Sequence, residues 1–290
     1  MKLVKEKVMQ AIMYALNEDV GRGDITSSLV FEKDENVIAN IIVKEDCVLA
    51  GMDVTKWVFN AIDERIVLHA HCNDGAKLKK GKRVASVKGS LRNILAGERT
   101  ALNFLGKATG IATLTNKFVS KIKGGKAEIF DTKKTTPGLR ALEKYAVKIG
   151  GGCNHRMGLW DAILIKDNHL IGQSSKIKAI QDAVGRAKTR GYKDVEVEVD
   201  NLKEFKVALE SGADIILLDN MKAEDLRKAS KLRKAWDKKH RTKTLLEASG
   251  GIKLDNISKV AKTGIDRISI GFLTHSAPSI DFSLICQDLN

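Results

Sequence analysis

Proline is nearly absent from this 290-residue chain, at two residues, Pro137 and Pro278. With 24 glycines in no fixed period, that scarcity excludes collagen-like and proline-rich architectures. Long apolar runs are missing too; none approaches the ~20 residues that a bilayer-spanning helix needs. The four cysteines, Cys47, Cys72, Cys153 and Cys286, lie far apart and form no C-x-x-C pair. Neither a zinc site nor a redox motif is indicated, and reduced thiols are expected. Aromatics are sparse, at three Trp, three Tyr and eight Phe. They make no aromatic–basic cluster of the kind that stacks single-stranded nucleic acid. The opening MKLVKEKVMQAIMYALNEDVG mixes charges among apolar residues. It reads as an amphipathic helix, not a secretory signal, so a cytoplasmic location with no membrane association is expected.

What is present is a globular composition: 43% hydrophobic and 30% charged residues. At ~150 residues per domain the length suggests two domains. Lys+Arg 50 against Asp+Glu 36 leaves a formal charge of +14. Such a surface attracts polyanions: nucleic acid, anionic membrane or a phosphorylated substrate. Part of the excess is one stretch, Arg227, Lys228, Lys231, Arg233, Lys234, Lys238, Lys239, Arg241 and Lys243. It reads as a solvated helix face.

From about residue 127, β-rich runs alternate with amphipathic helical segments. The strands are expected at 127–131, 162–166, 195–199, 214–219, 244–249 and 267–271. The helices are expected at 138–151, 174–191, 202–212, 223–236 and 254–264. This alternation predicts βαβ units and a parallel sheet. Gly191, Gly212 and Gly264 follow helical runs, where a left-handed cap costs glycine little. Polar residues gather at strand ends, where parallel α/β folds build their sites: Asp131, Lys166, Glu198, Asp219, Ser249 and Gly271. The first ~110 residues differ. Strands are expected at 37–43, 48–51, 66–71 and 83–88, with helices over 53–61 and about 91–123. They read as a separate α+β domain.

Five phrases carry chemistry. DTKKTTPGLR (131–140) offers adjacent lysines and a tight turn for an anion. GGGCNHRMG (150–158) sets His155 and Arg156 beside a backbone that approaches closely. IKDNH (165–169) crowds polar groups onto the end of an apolar strand. Glu198 and Asp219 are acidic strand ends suited to Mg²⁺, although Glu196 shares the face of Glu198 and the pattern does not choose between them. EASGG (247–251) and the glycine after Ile270 place small residues after two late strands, where backbone N–H groups can hold phosphate. His155 and His169 have no Ser or Cys partner at motif spacing, so triad hydrolysis is not indicated. Transfer of a phosphorylated group by positioning and electrostatics is.

Ten collinear phrases resemble the quinolinate phosphoribosyltransferase family: GDIT (23–26), ERTALNFL (98–105), KTTPGLR (134–140), EKYAV (143–147), GGGCNHR (150–156), IKDNH (165–169), EVEV (196–199), LDNM (218–221), EASGGI (247–252) and LTHS (273–276). The resemblance implies an α/β protein: an N-terminal α/β sandwich domain and an incomplete, about seven-stranded α/β barrel. The boundaries implied are 1–112, joined by the C-terminal segment 277–290, and 113–276. It implies transfer from phosphoribosyl pyrophosphate to quinolinate with decarboxylation. The products are nicotinate mononucleotide, pyrophosphate and CO2, in de novo NAD biosynthesis. It implies Mg²⁺ as cofactor, held directly or through water by Glu198 and Asp219, and a homodimer with a shared active site, open to assembly into a hexamer.

Residue by residue, the resemblance gives Arg99 to the neighbouring subunit's quinolinate site. His155, Arg156 and Lys166 hold the dicarboxylate, with Lys134 and Lys166 near pyrophosphate. Glu198 and Asp219 position Mg²⁺ and the ribose hydroxyls. Ser249, Gly250, Gly251, Gly271 and His275 take the 5-phosphate. Thr132, Lys133 and Ile270 are further substrate-binding positions, and Lys134, Lys166, Glu198 and Asp219 are the catalytic set. Lys133 stands where the family usually has arginine, which weakens the case for bidentate carboxylate recognition there. Two alternatives follow: the related protein of molybdate-uptake systems, which typically lacks the Lys-Asp-Asn-His phrase, and a basic nucleic-acid-binding protein, for which no helix-turn-helix, zinc or RNA-module signature is present.

Overall fold

The computed structural model describes residues 3–172 and 175–287, so Ser174 of the expected 174–191 helix and residues 288–290 lie outside it. The described chain forms two compact units. One comprises the residues up to Asn116, Lys134–Gly151, and those from Phe272 onward; the other comprises Lys117–Lys133 and Gly152–Gly271.

The first unit is built on an antiparallel sheet in the order Phe282–Gln287, Asn36–Val43, Arg83–Ser90, Val67–Ala70. Strand Asn36–Val43 buries Val37, Ala39, Ile41 and Val43, the period of two that a half-buried strand requires. The expected strand over 48–51 shrinks to Cys47–Val48, paired with Lys77–Leu78. Val48 and Ala50 instead donate backbone N–H bonds to the buried Thr113 and Thr109 hydroxyls. The amphipathic N-terminus is helix Glu6–Val20, burying Val8, Ile12 and Leu16. A helix absent from the sequence reading, Ile25–Val30, starts where the Asp24 carboxylate accepts the Thr26 and Ser27 N–H groups.

The long helix Leu91–Lys121 carries Gly106 and Gly110 on one face. Residues 278–280 lie directly against them; Ile280 N–H bonds the Gly106 carbonyl at 3.1 Å, and a Cβ on Gly110 would run into the Pro278 carbonyl. Segment 134–151, including helix Arg140–Ile149, belongs to this unit through buried polar contacts. Tyr145 donates to Asp74 at 2.7 Å, and Asp74 in turn accepts the Gly51 and Met52 N–H groups. Glu143, fully buried, pairs with Lys107 at 3.2 Å and accepts the Thr136 N–H.

The second unit holds a six-stranded parallel sheet in the order Glu128–Phe130, Arg267–Ser269, Leu245–Ser249, Ile215–Asp219, Glu196–Val199, Leu164–Ile165. A single parallel bridge from Phe130 to Cys153 adds a seventh strand position at one edge. Register sorts the side chains into two faces. Glu198, Leu217, Glu247 and Arg267 are paired across the sheet, and Asp219, Ser249, Ser269 and Phe130 form the next row on the same face. The opposite face presents Val197, Ile216, Leu218, Leu246, Ala248 and Ile268, all buried. One face is therefore aliphatic and packs, while the other concentrates carboxylates, hydroxyls and a guanidinium.

Helix Ala223–His240 buries Leu226, Ala229 and Ser230 and leaves most of its basic residues in solvent. Arg233 departs from the expected solvated face. It is largely buried, donates to the Thr244 carbonyl at 3.0 Å and pairs with Asp266 at 3.3 Å.

Candidate active site

The polar face of the parallel sheet ends in two carboxylates on adjacent strands, Glu198 and Asp219. Lys166, leaving the strand Leu164–Ile165, reaches across to Glu198 with Nζ 2.7 Å from Oε2. The turn that aims it is one 3-10 helix, Asp167–His169, whose His169 Nδ1 accepts the Lys166 N–H at 2.9 Å. Asp219 is braced by its neighbour: Asn220 takes a left-handed φ of 52°, donates from Nδ2 to Asp219 Oδ2 at 3.0 Å, and gives its N–H to the Ser249 carbonyl.

That bracing requires the glycine of the next loop. Gly250 has φ +84°, and a Cβ there would collide with the Asn220 carboxamide. Asn256 completes the loop, donating to the Gly251 carbonyl at 2.8 Å while accepting the Lys253 N–H at 2.9 Å. Ile270, buried, donates its N–H to the Phe130 carbonyl at 2.9 Å and leads into Gly271.

Asp131 organises the opposite edge. Fully buried, it accepts Asn154 Nδ2 at 2.6 Å and the His155 N–H at 2.9 Å, and Thr132 and Lys133 follow it out of the strand. Arg156 is tied by Nη1 to the Ala162 carbonyl at 3.0 Å. Beneath lies a cluster that the sequence reading did not assemble. His155 Nε2 is 3.1 Å from Glu196 Oε2 and 3.5 Å from Glu247 Oε1. Burial, and then the charge of Glu196, push the Glu247 carboxyl up to about 7, with His155, Ser269 and Arg267 opposing the rise.

Of the positions singled out from sequence, Thr132, Lys133, His155, Arg156, Lys166, Glu198, Asp219, Ser249, Gly250, Gly251, Ile270 and Gly271 all belong to the second unit. Arg99, Lys134 and His275 belong to the first. Arg99 is exposed on the long helix. Thr274 Oγ donates to the Lys134 carbonyl at 2.6 Å, and the adjacent His275 bonds Ser276. Glu247, Asn220 and Asn256 were missed as functional supports. For Glu247 the signal was its parity: two residues before the strand-end Ser249, it must share that residue's face. Glu198 and Asp219 supply hard oxygen donors at neighbouring strand ends, a set that fits a hydrated Mg²⁺.

Among the described residues, no helix is long and apolar enough to cross a membrane. The quinolinate phosphoribosyl transferase N-terminal domain model matches residues 24–109, and the C-terminal domain model of the same name matches residues 111–285. A probable nicotinate-nucleotide pyrophosphorylase [carboxylating] of Bacillus subtilis is 40% identical over 267 residues, covering 92% of this chain and 89% of that relative. A nicotinate-nucleotide pyrophosphorylase [carboxylating] of Mycobacterium leprae is 40% identical over 277 residues, 94% and 95% of the two chains. The solved structure of the nicotinate-nucleotide pyrophosphorylase from Francisella tularensis superposes with a TM-score of 0.89 at 40% identity, covering 99% of this chain and 98% of that one. On likeness of this extent, covering both matched domains, the chain belongs to the quinolinate phosphoribosyl transferase family.

Proposed function

We propose that this chain transfers the phosphoribosyl group of phosphoribosyl pyrophosphate to quinolinate, releasing pyrophosphate and CO2 and forming nicotinate mononucleotide for NAD biosynthesis. The observation that carries the reading is the polar sheet face, where a Lys166–Glu198 pair at 2.7 Å adjoins the strand ending in Asp219, in a chain of this family.

In this reading Arg156 and Lys166 bind the two carboxylates of quinolinate by charge-assisted hydrogen bonds, and His155 shapes that pocket. Lys133 adds positive charge there without the fork of an arginine. Lys134 and Lys166 stabilise pyrophosphate as negative charge develops on it and the ribose C1 becomes oxocarbenium-like. The pyridine nitrogen attacks C1 as the C–O bond breaks. The positive charge on the quaternised nitrogen then stabilises the electron pair left on the adjacent carbon when CO2 departs, and that carbon takes up a proton in place of the carboxyl. Glu198 and Asp219 orient the ribose hydroxyls and would hold Mg²⁺, which supplies charge neutralisation of the phosphates. The Gly250–Gly251 loop and Gly271 offer backbone N–H groups to the 5-phosphate, with Ser249 and His275 as side-chain donors. The +14 charge suits two polyanionic substrates. The reading extends to a homodimer in which Arg99 serves the neighbouring subunit. It also places the chain in the cytoplasm, where its free cysteines stay reduced.

The test is CO2 release from carboxyl-labelled quinolinate with phosphoribosyl pyrophosphate and Mg²⁺, nicotinate being the control substrate. Release that requires both substrates is expected. No release, or equal use of nicotinate, refutes the reading.

A further inference from the structure

Two of the residues assigned to phosphoribosyl pyrophosphate, Lys134 at its pyrophosphate and His275 at its 5-phosphate, belong to the first unit. Both are exposed, and neither sits in an element that would fix it unaided. Lys134 lies in the irregular segment before helix Arg140–Ile149, and His275 ends a helix of a single turn, Phe272–His275. One helical turn fixes several backbone dihedrals for very few internal hydrogen bonds, so its place has to be set from outside.

Thr274 supplies that setting. It is fully buried, and its Oγ donates at 2.6 Å to the carbonyl of Lys134, 140 residues away in sequence. Its own carbonyl accepts Nζ of Lys107, on the long helix, at 3.2 Å. The same ammonium lies 3.2 Å from Oε1 of Glu143, an ion pair whose carboxylate is fully buried. Glu143 Oε2 accepts the Thr136 N–H at 3.1 Å, two residues beyond Lys134. The backbone around Lys134 is therefore held by the Thr274 hydroxyl on one side and by Glu143 on the other. Lys107 joins both supports to one helix. A buried hydroxyl adds no apolar packing and is costly unless bonded, so the bond to Lys134 is what explains a threonine here.

We propose that Thr274 sets the span of the donor site: by bonding the Lys134 carbonyl while carrying His275 as its next residue, it fixes the separation of the pyrophosphate and 5-phosphate contacts, so that a ligand bearing both groups is preferred. The inference rests on the reading that Lys134 and His275 bind phosphoribosyl pyrophosphate. A ligand with both groups makes its second contact at high effective concentration only if the two contacts are held at the matching distance. A separation fixed in advance spares the cost of ordering it on binding. Ribose 5-phosphate or pyrophosphate alone uses one of the two contacts and gains nothing from the tie. Thr274 acts through Lys134 and His275 and is a positioning residue, with Lys107 and Glu143 behind it.

The test titrates phosphoribosyl pyrophosphate, ribose 5-phosphate, pyrophosphate and quinolinate, each alone with Mg²⁺, against the parent, Thr274→Val and Thr274→Ser. Thr274→Val keeps the shape and removes the donor. It is expected to weaken phosphoribosyl pyrophosphate about tenfold, the scale of one hydrogen bond. The two fragments and quinolinate should bind as they do to the parent. Thr274→Ser keeps the hydroxyl and should restore most of the lost affinity. A merely structural role would weaken the fragments along with the whole donor. Parent-like binding of the whole donor by Thr274→Val, or equal loss for donor and fragments, overturns the proposal. Should Thr274→Val not fold, Lys107→Met combined with Glu143→Gln decides. That pair removes the bond to the Thr274 carbonyl, keeps an acceptor for the Thr136 N–H and leaves neither charge of the ion pair behind. The same split between whole donor and fragments is required, and its absence overturns the proposal. A parent that binds no phosphoribosyl pyrophosphate at all refutes the functional reading itself.

Discussion

Glu247→Gln should stabilise the protein, and by more at higher pH. Glu247 titrates near 7 in the folded chain instead of at the ordinary 4.5, because it is buried and faces Glu196. Below about pH 4.5 the carboxyl is protonated in both folded and unfolded chains and contributes no difference. Between 4.5 and 7 the folded chain keeps a proton that the unfolded chain releases, so stability falls as pH rises; above 7 the whole penalty is present. A shift from 4.5 to about 7 corresponds to about 3 kcal/mol at 1.36 kcal/mol per unit. Glutamine is neutral at every pH, nearly the same shape, and its amide can donate to the Glu196 carboxylate. The difference between variant and parent should therefore be small at pH 5 and approach about 3 kcal/mol at pH 8. The assay is urea unfolding at pH 5, 6, 7 and 8, followed by circular dichroism and fitted with one phase per compact unit. A difference that is constant with pH, or that shrinks as pH rises, refutes the argument that Glu247 is held away from its charged form.

Gly250→Ala puts a Cβ into the Asn220 carboxamide and forces a φ of +84° on a chiral residue, so Asp219 should lose its brace; phosphoribosyl pyrophosphate KM is expected to rise about tenfold or more with quinolinate binding unchanged, and equal KM values would refute it. Gly110→Ala drives a methyl into the Pro278 carbonyl and should cost about 1–3 kcal/mol or more, read as a lower thermal midpoint; an unchanged midpoint shows that segment 278–280 is not tightly held there. Lys133→Ala should weaken quinolinate selectively while Lys133→Arg preserves or tightens it; parent-like binding by the alanine variant would show that Arg156 and Lys166 suffice. Mixing inactive Arg99→Ala with inactive Lys166→Ala chains should return activity through hybrid dimers, and complete subunit exchange without activity would refute the shared site.

The βα series was legible because its two periods are clean. Runs such as Ile215–Asp219 read as buried strands, and Gly212 and Gly264 after helices do take positive φ. Strand ends were less legible. The expected 162–166 strand has only Leu164 and Ile165 in the ladder, since the Ala162 carbonyl serves Arg156. The helix expected over 254–264 is Ile257–Ala261, because Asn256 is committed to the Gly251 loop. Short elements such as Phe272–His275 escaped altogether, being too brief to show a period.

The site divides along the same physical line. Residues whose type is unusual for their place, such as Lys166 at the end of an apolar strand, could be picked out one by one. Their supports could not, because a brace is a relation between distant positions. Asn220 matters through Gly250, His155 through Glu196 and Glu247, and Asp131 through Asn154. In a parallel sheet such pairs are fixed by register, and register follows from which strands become neighbours. Once Glu198 and Glu247 are each opposite Leu217, parity alone sends Glu196, Asp219 and Ser249 to one face and aliphatic residues to the other. The acidic residues beneath the cationic pocket then follow from topology. They face His155 at the cost of a buried carboxylate, which is why removing the Glu247 charge should strengthen the fold.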